Sequence, residues 1–186
     1  MNHFFVLILA TYTDLNKRPK SKMEITAKMN AISKIVDTMY EYQIENNVKQ
    51  QCAYNCYVLF TLIKHNCPEF KPKVIQIWAI ADRGNDTFGL ASRHLVIGFD
   101  CHQLRDHYID PSYEFKDADL FGSFKDFRNA FSVQFPTERI KEFLEGAIEF
   151  QQYAKQITEG RGFKKNPYCS DLIDFINRKS SNNCGK

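Results

Sequence analysis

Acyl transfer by cysteine asks for three groups: a thiol at the start of a helix, where the dipole favours thiolate, an imidazole to take its proton, and a carboxylate or amide to orient that imidazole. The chain offers one such set in that order. Cys52 stands at the start of a predicted helix, His94 lies inside a predicted strand, and Asp110 ends the strand after it. If those strands pair as neighbours, His94 and Asp110 project from one sheet face and the helix N-terminus packs against them. The carboxylate then fixes the tautomer that presents the other ring nitrogen to sulfur. Cys56, one helical turn on from Cys52, is the alternative nucleophile. Gln50 and Gln51 precede the thiol and can donate side-chain hydrogen bonds to a developing oxyanion, beside the backbone N–H of Cys52. Arg93, Tyr108 and Tyr113 flank the imidazole and the carboxylate and are read as the rim of a cleft. A free cysteine taken alone is ordinarily a small buried hydrophobe, so the joint set carries the reading.

Two metal sets can be written from the same residues, Cys52, Cys56, His65 and Cys67, and Cys101, His102 and His107. Neither contains the tight Cys-x-x-Cys pairs of a strong zinc signal. The first would place two ligands at the start of a helix and two at its end, about 18 Å apart at 1.5 Å per residue. No metal and no cofactor is expected.

The elements that must position these residues follow from spacing. Ile25, Met29, Ile32, Val36, Met39 and Tyr40 recur at three and four, which predicts an amphipathic helix over 23–45, stopped by Asn46 and Asn47. Val58, Leu59, Leu62 and Ile63 predict a second helix over 52–65, which Pro68 cannot continue. The β-branched and aromatic run over 73–81 predicts a strand with Trp78 in the core, and a meander follows with strands over 88–99 and 107–110. A short helix is expected over 121–131. A longer one follows, capped by Thr137, with Ile140, Phe143, Leu144, Ala147 and Ile148 on its apolar face, ending at Gly160 and Gly162. A last short helix is expected over 170–177, with a loose tail over 179–186. Residues 1–22 are read as an N-terminal strand over 4–11 and a basic linker, KRPKSK.

With these elements in place, the segment QQCAYNCYVLFTLIKHNCP resembles the nucleophile helix of the transglutaminase-like branch of the papain-like cysteine protease superfamily. In that family a Gln-Cys or Gly-Cys pair opens an apolar helix that ends about fifteen residues on, before a strand. Here Gln51 and Cys52 open it and Cys67 and Pro68 close it. The segment RHLVIGFDCHQLRDHYIDPSYEF is similar to the family's His and Asp strands, with 16 residues from His94 to Asp110 and then Pro111 and Ser112. The resemblance covers about a third of the chain, residues 50–115. It implies a Cys52–His94–Asp110 triad. Gln50 precedes Cys56 by the interval that separates the oxyanion glutamine from the cysteine in papain-type proteases, but only the Cys52 register puts the helix end where the family has it. The chain departs from the family in Ala53 and in Leu95-Val96, where an aromatic and an Ala-Trp are usual. It also lacks the Arg-Gly-Gly of the arylamine acetyltransferases.

The whole chain agrees with such a domain. At 186 residues, 44% hydrophobic and 25% charged, it has the composition of one globular domain with a full core of its own. The longest N-terminal apolar run is seven residues, against roughly 20 for a membrane span, and it lacks a signal peptide's basic start and small-residue cleavage site. Six cysteines without an export signal are expected to stay reduced, which implies a cytosolic setting or a host's cytosol. A net charge of +3 is too small to argue for nucleic acid by itself, and no such partner is expected, although KRPKSK and Lys164-Lys165 could make phosphate contacts. The expected fold is therefore α+β, with a transglutaminase-like core of one nucleophile helix against an antiparallel sheet and flanking helices. The expected function is hydrolysis of a peptide, isopeptide or amide bond in a peptide or protein substrate. The competing expectation is a catalytically silent interaction protein of the same fold, part of an assembly such as a viral particle, because the richness in Asn, Lys, Ile and Phe fits an AT-rich genome.

Overall fold

The computed structural model describes residues 22–80, 92–130 and 137–183. The expected N-terminal strand lies outside them, as does the basic linker except Lys22, which opens the first helix.

Helix α1 (Lys22–Glu45) buries Ile32, Ile35, Val36 and Met39 along one stripe, as its spacing predicts. Helix α2 (Cys52–Asn66) buries Val58, Leu59, Leu62 and Ile63 in the same core and ends where Pro68 starts a single 3₁₀ turn. Strands β1 (Pro72–Ile80) and β2 (Ser92–Phe99) pair antiparallel over their length, and β3 (Tyr108–Ile109) adds to β2 at only two positions, Ile97 and Gly98. Strand β4 (Asp119–Phe121) pairs with the end of β1, giving the order β3-β2-β1-β4. Helices α3 (Phe124–Ala130), α4 (Thr137–Glu159) and α5 (Pro167–Asn183) complete a mixed α+β architecture. One core runs through it: Leu95, Ile97 and Phe99 of β2 meet the buried faces of α1 and α2, with Ile157 of α4 and Leu172 and Ile176 of α5. Among the described residues no helix is long and apolar enough to cross a membrane.

Three expectations need correction. Residues 119–121 form β4, and the short helix begins only at Phe124, where Ser123 caps it by accepting the Asp126 N–H at 3.2 Å. A three-residue strand has no periodicity to read; the Trp78↔Phe121 pairing with β1 creates it. The phenylalanines of this region pack within the chain, Phe124 and Phe127 lying 5.0 and 5.8 Å from the Trp78 ring. The last helix is longer at both ends than expected. Asn166, whose Oδ1 accepts the Tyr168 N–H, and Pro167 start it, and residues 179–183 of the expected tail are helical. Lys179 there pairs with Glu41 of α1 at 2.9 Å, and the Ser180 and Ser181 hydroxyls donate back to carbonyls one turn earlier. Ile148, assigned to the apolar face of α4, is 61% exposed; the described part of that helix buries Ile157 and packs Phe150 and Ala154 against the core. The rest of the expected face lies outside the described side chains.

The core makes one firm demand. Leu59 has no exposed surface, so Leu59→Ala should lower unfolding free energy by roughly 2–5 kcal/mol in urea titrations. A loss under about 1 kcal/mol would mean that α2 is not the centre of the core.

Candidate active site

The short reach of β3 decides where α2 can go. The Asp100 N–H bonds to the Lys71 carbonyl at 3.0 Å, so the even-numbered residues of β2 direct their backbone groups toward β1. The odd-numbered ones point the other way. At Ile97 that side is met by β3, but at Leu95 it is not. Cys56 fills the gap: its thiol donates to the Leu95 carbonyl at 3.1 Å, fastening the first turns of α2 to the open edge of the strand. The same contact disposes of Cys56 as a nucleophile in this geometry, because it has no exposed surface and burial pushes its thiol well up. Cys52, one turn earlier, is half-buried and opens onto a cleft of about 300 Å³.

Side chains alternate along β2, so His94 lies on the face opposite Leu95, Ile97 and Phe99. One step past the Ile97↔Ile109 pairing, Asp110 comes onto the His94 face, as expected from the spacing. The His94 Nε2 and an Asp110 carboxylate oxygen are 2.7 Å apart. The other Asp110 oxygen accepts the Ser112 N–H at 2.9 Å, and the Asp110 carbonyl accepts the Tyr40 hydroxyl at 2.6 Å. Burial pushes the Tyr40 phenol well up, with the Asp110 charge adding to it, so it remains a donor. The imidazole is fully buried and lies against the Phe115 ring, with centroids 4.2 Å apart.

The second ring nitrogen, Nδ1, is buried without an aligned hydrogen bond. Besides Asp110, the group that acts on the ring is Cys52. With Nε2 taken by Asp110, the thiol bears on Nδ1. Burial alone would lower the imidazole's pKa, but the Asp110 hydrogen bond and the nearby Cys52 sulfur outweigh it and raise it from 6.5 to about 9. At neutral pH His94 is therefore an imidazolium, with both nitrogens donors. In the serine-protease triad the carboxylate takes Nδ1; here the carboxylate takes Nε2.

The approach to Cys52 is strained and held. Gln50 has φ +57°, a left-handed conformation disfavoured for a side-chain-bearing residue, and its N–H donates to a Glu114 carboxylate oxygen at 3.0 Å. Gln51 gives α2 no side-chain cap, and the first helical bond runs from the Asn55 N–H to the Gln51 carbonyl at 2.9 Å. The Cys52 amide precedes that bond and has no acceptor within the helix. Gln50 and Gln51 both line the cleft, as do Arg93, whose guanidinium lies over the Phe150 ring at 5.4 Å, Glu114 and Phe115. Tyr108 and Tyr113 do not line it and are about half exposed.

The other thiols among the described residues lie apart from the cleft. Burial pushes those of Cys67 and Cys169 up to about 12, and Cys101 lies in a separate hollow beside His102. Among the described residues no three His, Cys, Asp or Glu side chains come together to hold a metal ion. The residues that hold the site from behind, Tyr40, Gln43, Asn55 and Tyr168, were not singled out by type or spacing. A signal for two of them exists: Gln43 and Asn55 are polar residues in otherwise apolar helical stripes.

A pH dependence follows. Folding raises the His94 pKa from 6.5 to about 9, so its contribution to stability is whole below pH 6.5 and is lost as pH climbs through about 9. Urea denaturation should show stability falling across that window by on the order of 1–3 kcal/mol, with a flatter profile in His94→Gln. Compared with protein-family models, curated proteins and solved structures, the chain matches none, so the chemistry of this site has to be argued from its geometry.

Proposed function

We propose that the chain is a cysteine-dependent acyl-transfer enzyme with a transglutaminase-like core, hydrolysing a peptide, isopeptide or amide bond through Cys52, His94 and Asp110. The observation that carries this reading is the His94 ring: Nε2 is bound to Asp110 at 2.7 Å, and a buried Nδ1 is left for Cys52, among the described residues the one half-buried thiol that opens on the cleft. A structural histidine satisfies both nitrogens with fixed partners.

In the proposed reaction His94 enters as the imidazolium, paired with the Cys52 thiolate, and the thiolate attacks the substrate carbonyl. The oxyanion that forms is met by the Cys52 backbone N–H, with Gln50 or Gln51 as side-chain donors from the lip of the cleft. The His94 imidazolium then protonates the leaving amine as the C–N bond breaks, leaving a thioester on Cys52. Water, deprotonated by His94, attacks the thioester, releases the acid and restores the thiolate–imidazolium pair. Asp110 keeps the ring in place and stabilises its positive charge throughout.

Alkylation by iodoacetamide, resolved by cysteine with mass spectrometry, tests the thiol. At pH 6 to 7 Cys52 should label faster than every other cysteine, and His94→Ala should slow it at least about 10-fold. Release of amine from a library of peptide amides and isopeptides should be lost in Cys52→Ala with the fold intact. A Cys52 rate indifferent to His94→Ala would overturn the enzyme reading and leave the cleft as a surface for a protein partner.

A further inference from the structure

Gln43 lies on the stripe of α1 that carries Ile32, Val36 and Met39 into the core, and only 3% of its surface is exposed. A primary amide is costly to bury unless its donors and acceptors are all met. Here they are. Nε2 donates to the Met39 carbonyl at 3.0 Å and to the Pro111 carbonyl at 2.8 Å. Oε1 accepts the Tyr113 N–H at 3.0 Å and Asn55 Nδ2 at 3.2 Å. Two carbonyls on one side and two N–H donors on the other leave the amide a single orientation. Asn55 is fixed in its turn, its Oδ1 accepting the Tyr168 hydroxyl at 2.6 Å.

One peptide plane connects this amide to the imidazole. The Pro111 carbonyl that Gln43 holds and the Ser112 N–H that binds Asp110 belong to the same planar unit. Turning that plane to release the carbonyl swings the N–H off the carboxylate. We infer that Gln43 is a positioning residue: by holding the Pro111–Ser112 peptide from α1 it keeps Asp110 on His94 and so aims His94 at Cys52. The inference rests on reading those three residues as the catalytic set. Bonding to both sides of the turn, at Pro111 and Tyr113, lets one side chain do for the loop what a neighbouring strand would do for a longer β3. Among the described residues the titratable groups that act on the ring are Asp110 and Cys52, with the Phe115 ring tilted against it, so with Cys52 unchanged a shift in the ring's titration reports the Asp110 contact.

The experiment is NMR titration of the His94 ring together with amide hydrogen exchange at Ser112. In the unaltered protein the Ser112 N–H should exchange only through global opening. Exchange as fast as that of an exposed loop amide would overturn the clamp without any variant. In Gln43→Met, which keeps the side chain's length and removes the amide, the His94 midpoint should fall by at least about one pH unit, a tenfold change in proton affinity. Protection of Ser112 should drop at least about tenfold with it. A lower melting temperature with both readouts unchanged would make Gln43 a packing residue and nothing more. Neither readout needs turnover. Failure of Cys52 alkylation would therefore sink the acyl-transfer reading with the clamp standing, and a null in Gln43→Met would sink the clamp alone.

Discussion

An imidazole with no exposed surface is costly in either protonation state unless the protein replaces the water it has lost. The contact between His94 and Asp110 does this at Nε2, and the sign of its effect governs the site. Desolvation disfavours the imidazolium, yet the carboxylate at 2.7 Å and the nearby thiol outweigh it and hold the ring charged at neutral pH. Removing Asp110 alone would leave a buried group without its counter-charge, which is far worse than never having buried the pair. The geometry around Asp110 is accordingly over-determined. Its side chain is held by the Ser112 N–H, its own carbonyl by Tyr40, and the following turn by Gln43.

The brevity of β3 has the same logic. Had it continued along β2, the backbone groups of Leu95 would have been paired by a strand, and α2 would have been kept away from the imidazole. Ending after two paired positions frees that edge for Cys56 and lets the helix N-terminus come to His94. Cys56 is thus a fastening for the helix that carries Cys52. Two thiols one turn apart on one helix differ in burial and partner, and so differ in chemistry.

Both helices that frame the site carry polar residues into the core, and both do so with every hydrogen bond accounted for. Gln43 and Asn55 interlock, and Tyr168 brings α5 to the same network. Lys28 follows the same pattern at the far end of α1, buried between Glu24 and Glu69 and tying the helix to the turn after α2. Such contacts add little net stability over an apolar core, but they admit few alternative packings. They set the rotation of α1 and α2 about their axes more narrowly than leucines and isoleucines can.

The apolar period of residues 25–40 and 58–63, the stops at Asn46 and Pro68, and the β-branched run before the turn were local signals, and they determined α1, α2, β1 and the visible part of β2. They also set Cys52 at a helix start, His94 in one strand and Asp110 at the end of the next, because alternation along a strand is a property of the chain itself. Tertiary structure decided what no local pattern encodes. It made a strand of residues 119–121 by pairing them with β1, extended α5 through packing on α1, and chose between Cys52 and Cys56 by closing one of them behind a carbonyl. It also gave Gln43 and Asn55 their places, since a polar residue in an apolar stripe reads as a break in the pattern until its partners arrive. Apart from Met39 and each other, those partners come from segments 57 to 113 residues away in sequence. Hydrogen bonds between such distant groups are fixed only when the elements pack, and it is there that a thiol, an imidazole and a carboxylate become one site.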